Sequence, residues 1–497
     1  MAPKRNGDSR VPARRAGALA VALAVCVGLA GSGPARAQFV SEADEARIGA
    51  EEHSKMVRQF GGAYEDEKQT GFYVARLGAR IVQNSERAGR SFIFTLLDSR
   101  DVNAFALPGG YVYVTRGILA LMNTEAELAG VLGHEVGHVV ARHTAQRINR
   151  AVTTNLVTGV LGGLLGAALG VPEVAQLGQL VGAGLLAQYS QDQEFEADEL
   201  GVRYMSKAGY NPLAQADLLS SLSRESELAR AVAGNTGRDP LEDFFASHPN
   251  TLERVQRAIA EAKEAGAGGG ADYGREAFLA QIDGMVFGDS AEHGFIRGRI
   301  FAHPKLRFSF AAPGGFRLLN RADAVLARGP GEALIKLDHA PRSASGDPMI
   351  YLTREWAAQA NLQSLRHFEA NGLAGATGIT RIQNQQLGTR DARLAVLRLA
   401  PGQLYRFLFV TPAGQLARFD RGFEATLLSF RALGSAEAAA LKPLRVRVVT
   451  VRPGDTIDSL GRRMAVEDYP VERFRVLNAL DGDAGLRAGD KVKLVGE

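Results

Sequence analysis

The residues best suited to chemistry form an H-E-x-x-H motif, His134-Glu135-Val136-Gly137-His138. Two histidines four residues apart lie on the same face of a helix, so both imidazoles can bind one metal ion. Glu135 is rotated by about 100° from His134, which puts its carboxylate beside a metal-bound water rather than on the metal. The motif therefore predicts zinc-assisted hydrolysis of a peptide bond, with Glu135 as the general base.

The elements around the motif are predicted from apolar periodicity and capping signals. Thr124-x-x-Glu127 is a capping box ahead of the motif helix. Residues 92–97 are typical of a strand, and residues 103–114 of a strand, a turn and a second strand. A mainly helical domain with a small sheet is therefore expected to carry the motif.

A catalytic zinc needs a third protein ligand, and candidates lie on a later helical segment. Glu194 and Asp198 share one face of that segment, four residues apart, whereas Glu196 points elsewhere. Glu194 could bind the metal while Asp198 accepts the second ring N–H of a ligand histidine. The spacing alone fits an acidic, solvent-exposed helix face equally well. His143 points away from the ligand face, and we expect a polar residue near the ligands there.

Together the two segments resemble the gluzincin family of HtpX, the CAAX prenyl protease and the BepA-type periplasmic peptidases. That family pairs H-E-x-x-H with E-x-x-x-D on a later helix. The resemblance implies that one zinc ion is bound by three side chains, those of His134, His138 and Glu194. It also implies that Glu135 is the general base and that Asp198 is an active-site partner of the metal site.

Two further segments resemble signatures of the same family. The first is residues 103–110, and the strand after it is similar to the edge to which such enzymes add an extended substrate. The second is residues 247–254. There the resemblance implies that His248 could reach the zinc and block the site, and that Arg254 could stabilise the oxyanion. The expected substrates are unfolded or misassembled proteins of the cell envelope.

Residues 1–37 have the layout of a secretory signal peptide. A basic region precedes an uncharged run from Ala16 to about Gly33, followed by the cleavage site Ala35-Arg36-Ala37. The alternative is a membrane anchor. The full chain carries a net charge of +4, but this segment holds six Lys or Arg and one Asp, which leaves −1 for the remainder. Because the basic excess lies in this segment, we expect no nucleic-acid partner. The signal peptide predicts a location in the periplasm. The one cysteine also lies in this segment, which excludes thiolate ligands from the remainder.

An unusual apolar insert separates the two metal-binding segments. From residue 151 to residue 191 its one charged residue is Glu173. Its two Gly- and Ala-rich stretches, 156–170 and 174–187, approach the length of a bilayer span, about 20 residues. The interpretation we favour is a pair of close-packed helices or a hairpin beside the site, because polar residues and glycines interrupt both stretches. Such a hairpin could still contact a membrane through residues 151–190.

The C-terminal half predicts two further modules after a connector at residues 265–300. Residues 301–434 alternate like strands around a helix predicted over 351–371, which indicates an α+β domain and resembles PsbP-like domains. Residues 444–497 resemble a LysM domain, with V-x-P-G-D-T-I-x-S-L, then L-N, then G-D-K-V-x-L. The resemblance implies a βααβ unit that binds peptidoglycan. A longer segment between its helices leaves a protein-binding derivative as the alternative.

The sequence thus predicts a multidomain protein. A mainly α zincin-type peptidase domain with a small sheet spans residues 38–264, and the α+β domain and the βααβ LysM-like module follow. The predicted function is that of an exported zinc endopeptidase of the bacterial envelope. The alternative is a latent or inactive peptidase that acts as a chaperone-like or peptidoglycan-binding protein.

Overall fold

The computed structural model describes a large part of the chain between residues 40 and 497. The described residues are 40–150, 188–233, 248, 252–264, 273–341, 344, 346–384, 388–480 and 486–497. The predicted signal peptide and most of the 151–190 insert lie outside them. Within these ranges, no helix combines the length and the apolar character needed to cross a membrane.

The part of the chain that carries the motif is mainly helical. Its helices are α1 (Glu42–Gln59), α2 (Thr70–Gln83), α3 (Arg116–Leu121), α4 (Glu125–Val140), α5 (Gln191–Lys207), α6 (Leu213–Ala233) and α7 (Leu252–Glu264). Its strands are β1 (Ile93–Leu97), β2 (Ala104–Leu107) and β3 (Tyr111–Thr115). They form one sheet in the order β1-β3-β2, parallel between β1 and β3 and antiparallel between β2 and β3.

Strand β3 is the middle strand of this sheet. Both of its sides are paired, from Tyr111 opposite Ile93 on one side and opposite Leu107 on the other. The prediction that the strand after residues 103–110 offers an edge to an extended substrate is therefore wrong. The edge strand that contacts the motif helix α4 is β2.

Close packing of α4 on α5 brings the two metal-binding segments together. A Cβ atom added to Gly133 would lie 3.0 Å from the Cα of Gly201, and one added to Gly137 would lie 3.1 Å from the carbonyl oxygen of Ala197. Neither position has room for a larger side chain without moving the neighbouring backbone. The glycines weaken the helix by about 1 kcal/mol each relative to alanine, and they permit this close crossing.

The motif helix begins at a well-formed cap. Thr124 Oγ1 accepts a hydrogen bond from Glu127 N at 3.1 Å, as the capping box predicts. The Glu127 carboxylate accepts from the backbone N–H of Asn123 at 2.8 Å instead of that of Thr124. One backbone donor of the first turn and one just before the cap are thereby satisfied.

The region after residue 287 is rich in strands. After the short connector strand β4 (Val286–Phe287), the strands are β5 (Phe295–Arg297), β6 (Ile300–His303), β7 (Phe308–Ala311), β8 (Arg317–Asn320), β9 (Val325–Arg328), β10 (Leu334–His339), β11 (Gln363–Ala370), β12 (Leu373–Asn384), β13 (Gly388–Ala400), β14 (Gln403–Pro412) and β15 (Arg431–Ala432). A seven-stranded antiparallel sheet has the order β11-β12-β13-β14-β10-β9-β8, and a four-stranded sheet has the order β15-β7-β6-β5. Phe423, on a helix spanning Leu416–Ser429, packs against Phe409 in the core between them, with ring centroids 4.6 Å apart.

One helix prediction in this region is wrong. The helix predicted over residues 351–371 is a short π-helical segment, Tyr351–Trp356, followed by the edge strand β11. Strand β12 pairs antiparallel with β11 and supplies its backbone partners, and Phe368 packs against the core. Pairing with a neighbouring strand therefore overrides the local helical pattern.

The C-terminal module is a βααβ unit that shares a core with the peptidase region. Its elements are Leu444–Thr450, Ile457–Gly461, Pro470–Leu477 and Lys491–Gly496. The first of these strands also pairs with a short strand of the connector, Val286–Phe287. Val446 and Val476 lie in the same apolar cluster as Leu132 of α4. The connector and this module are therefore parts of the scaffold around the motif helix.

Candidate metal centre

Four buried side chains from three parts of the chain converge on one point. His134 and His138 come from α4, Glu194 comes from the first turn of α5, and His248 comes from the segment that precedes α7. One potential metal-binding atom of each lies within 4.8 Å of those of the other three. The group contains the three ligands implied by the sequence, together with the histidine expected to block the site.

The ring orientation of both motif histidines is set by partners at Nδ1. His134 Nδ1 lies 2.9 Å from Asp198 Oδ1, and His138 Nδ1 lies 2.8 Å from Nδ1 of His143. A proton on each Nδ1 satisfies both contacts and leaves the two Nε2 atoms as lone-pair donors, only 3.0 Å apart. Two facing lone pairs repel one another unless a cation binds both. The donor set therefore fits a metal ion.

The remaining distances fit a tetrahedral ion. Glu194 oxygens lie 3.7 Å from His134 Nε2 and 3.4 Å from His138 Nε2. His248 Nδ1 lies 3.3 Å from His134 Nε2 and 3.1 Å from Glu194 Oε1. Zinc–nitrogen bonds of about 2.0–2.1 Å separate two tetrahedral ligands by about 3.4 Å. His248 lies where the fourth ligand of such an ion would be, the position that catalytic zinc sites keep for water or substrate.

Glu135 lies next to the group without belonging to it. Its side chain is buried, its Oε1 lies 3.8 Å from His248 Nε2, and its Oε2 has no hydrogen-bond partner among the described residues. Burial raises the pKa of Glu135 above its usual value. A buried carboxylate with a raised pKa and an unused oxygen is suited to accept and release a proton.

Asp198 connects the metal group to Arg254. Arg254 donates from Nε and a terminal nitrogen to both oxygens of Asp198, at 2.7 and 2.8 Å, and its other terminal nitrogen lies 2.7 Å from Glu194 Oε2. Burial alone would raise the pKa of Asp198, but Arg254 lowers it below its usual value. Arg254 thus contacts the two carboxylates of the site, Asp198 and Glu194. The family resemblance implies a different role for Arg254, stabilisation of an oxyanion.

Sequence reasoning missed two partners of the site. Gln215 Nε2 donates to Asp198 Oδ1 at 3.0 Å. The Tyr189 ring stacks on the His138 imidazole, with centroids 3.8 Å apart and planes inclined by 17°. No motif marks Gln215, because it lies on α6 and reaches the site only through helix packing. Tyr189 adjoins the capping box of α5, Ser190 with Gln193, and that signal could have drawn attention to it.

This arrangement, an H-E-x-x-H helix with a buried carboxylate from a second helix, is typical of metallopeptidase centres. The family comparisons agree with the geometry. Residues 68–262 match the model described as Peptidase family M48, and residues 449–495 match the LysM domain. The chain therefore carries an M48 metallopeptidase domain followed by a LysM domain, with a β-rich region between them.

Among curated proteins, the mitochondrial metalloendopeptidase OMA1 of Schizosaccharomyces pombe is 30% identical over 216 residues, which are 43% of this chain and 59% of that protein. The beta-barrel assembly-enhancing protease of Escherichia coli is 31% identical over 198 residues, 39% of this chain and 41% of that protein. The chain thus spans less than two thirds of the length of either relative. The match to a solution structure of cyanobacterial PsbP from Synechocystis covers 28% of this chain and 98% of that structure's chain, at 16% identity and a TM-score of 0.21.

Proposed function

We propose that this protein is a zinc-dependent endopeptidase of the bacterial cell envelope, which His248 keeps latent. The observation that supports it most is the convergence of four buried donor groups beside Glu135, in a domain of the M48 family. In this proposal the metal ligands are His134, His138 and Glu194. Zinc, when bound, supplies the Lewis acidity that activates water and polarises a peptide carbonyl.

The residues of the chain then perform the proton transfers. Glu135 takes a proton from the attacking water through Oε2. It then delivers this proton to the nitrogen of the leaving amine as the peptide bond breaks, so Glu135 returns to its carboxylate form. Asp198 holds the Nδ1 proton of His134, which keeps the Nε2 lone pair available. Arg254 acts by neutralising Asp198 and Glu194, the two carboxylates that its guanidinium contacts.

The latency follows from the contacts of His248. Its Nδ1 lies within 3.3 Å of His134 Nε2 and of Glu194 Oε1, and its Nε2 faces Glu135. A water or a peptide carbonyl needs this same space, so His248 must move before catalysis. This supports the second candidate function, in which the peptidase stays blocked and the protein acts as a chaperone-like or peptidoglycan-binding envelope protein.

The proposed location and substrates rest on other parts of the chain. Residues 1–37 support export to the periplasm, and the LysM domain supports association with peptidoglycan. The proposed substrates are misfolded or misassembled envelope proteins, which expose extended segments. The edge strand β2 beside α4 is suited to pair with such a segment.

Cleavage of an unfolded protein by the zinc-loaded enzyme, with and without His248→Ala, tests the proposal. Cleavage that is weak in the wild type and rises in His248→Ala supports a latent peptidase. Equal cleavage in both contradicts the latency, and no cleavage in either favours the binding protein. His367→Ala is the matched control, because His367 is exposed on strand β11, in the region after the peptidase domain.

A further inference from the structure

The two motif histidines differ in how their Nδ1 atoms are held. His134 contacts a carboxylate directly, the arrangement common among metal-binding histidines. His138 contacts a second imidazole, that of His143, which is 0% exposed. His143 Nε2 in turn lies 3.1 Å from Glu196 Oε2. A three-membered chain therefore runs from the His138 ring to a carboxylate at the protein surface.

One arrangement of protons satisfies this chain when His138 binds a metal through Nε2. The His138 proton must then be on Nδ1, so it is donated to Nδ1 of His143. His143 must accept there and carry its own proton on Nε2, which it donates to the Glu196 carboxylate. A second proton on His143 would set two N–H groups against each other at 2.8 Å. The Glu196 carboxylate at the end of this series of contacts therefore favours the His138 tautomer in which the Nε2 lone pair is free to bind a metal.

We propose that His143 and Glu196 are positioning residues that hold His138 in its metal-binding tautomer and orientation. This inference rests on the proposed zinc site and gives both motif histidines a carboxylate anchor, one direct and one through an imidazole. The Tyr189 ring supports it, because it covers the face of His138 and resists rotation of the ring. The Arg147 guanidinium lies 3.7 Å from the centre of the Tyr189 ring, a cation–π contact that also restrains this ring.

The test is the zinc affinity of the purified protein, measured by competition with a chelator in the absence of substrate. His143→Leu removes the acceptor and is expected to weaken zinc binding about 10- to 100-fold. His143→Asn returns an amide oxygen close to the Nδ1 position and is expected to recover most of that loss. Glu196→Ala should weaken binding by less, because its side chain is 58% exposed.

Glu199→Ala is the matched control, since Glu199 is exposed on the same helix. It should bind zinc like the wild type. Equal zinc affinity in His143→Asn and His143→Leu would overturn the inference, and so would a Glu196→Ala variant that equals Glu199→Ala. The surface position of Glu196 keeps the test valid if the His143 variants fail to fold. A wild-type protein that binds no zinc would instead overturn the proposed function, so the two failures are distinguishable.

Discussion

Lys493 of the LysM module is predicted to hold the beginning of the motif helix in place. Its side chain is 0% exposed, and its ammonium donates to the backbone carbonyls of Ala120, Leu121 and Met122. These carbonyls end helix α3, just before the cap of α4. Burial lowers the pKa of Lys493, and the nearby Glu127 carboxylate opposes this shift, as does the negative end of the α3 dipole.

Lys493→Met keeps the length of the side chain and removes its charge. Three buried carbonyls then lose their donor, and leaving a buried polar group unsatisfied costs about 1–3 kcal/mol. Lys491→Met is the matched control on the same strand. Lys491 is 39% exposed and pairs with Glu276 at the surface, so its loss should cost at most about 1 kcal/mol.

Urea unfolding followed by far-UV circular dichroism measures these costs. Tryptophan fluorescence is unsuitable, because the single tryptophan, Trp356, lies in the region after the peptidase domain. Adding Glu127→Gln to Lys493→Met should recover part of the loss, since it removes a buried carboxylate whose charge the nearby ammonium offsets. A Lys493→Met variant no less stable than Lys491→Met would refute the reasoning.

Three further predictions follow from other contacts. Asp198→Asn should weaken zinc affinity about 10- to 100-fold in chelator competition, whereas the exposed control Asp192→Asn should not. Gly201→Val should lower zinc affinity and the unfolding midpoint together, because a Cβ there would lie 3.0 Å from His134 N; an unchanged zinc affinity would contradict the tight helix crossing. Burial lowers the pKa of His303 from 6.5 to about 4, and its Nδ1 accepts from Leu306 N. The neutral ring therefore stabilises the fold above pH 6.5, and up to about 3 kcal/mol is lost as the pH falls through 4. His303→Gln should flatten that pH dependence in thermal unfolding, and an unaltered profile would contradict this assignment.

The site was predictable where its chemistry is local in sequence. His134 and His138 share a helix face, and so do Glu194 and Asp198, so spacing alone groups each pair. The meeting of the two pairs could not be derived from periodicity. It depends on glycines such as Gly133 and Gly201, which let two helices approach, and sequence alone does not show which helices cross.

Contacts between distant segments account for the failures. The strand β3 has an alternating pattern that fits an edge or a middle strand equally, and only its pairing with β1 and β2 decides between them. In the sequence, Lys493 cannot be told from the partly exposed Lys491, because a cation buried against helix carbonyls has no local sequence pattern. Because Lys493 contacts the end of α3, deleting residues 444–497 would disturb the peptidase domain. Glycan binding is therefore better tested with point variants in the exposed loop at residues 452–456.

The central claim is that Glu135 performs catalysis at a zinc ion that it does not bind. The most direct test measures zinc content and cleavage of an unfolded protein by His248→Ala and by the double variant with Glu135→Gln. We predict one zinc per chain in both, with cleavage by His248→Ala and none by the double variant. Cleavage that persists without Glu135, or zinc that is lost with it, would contradict the account.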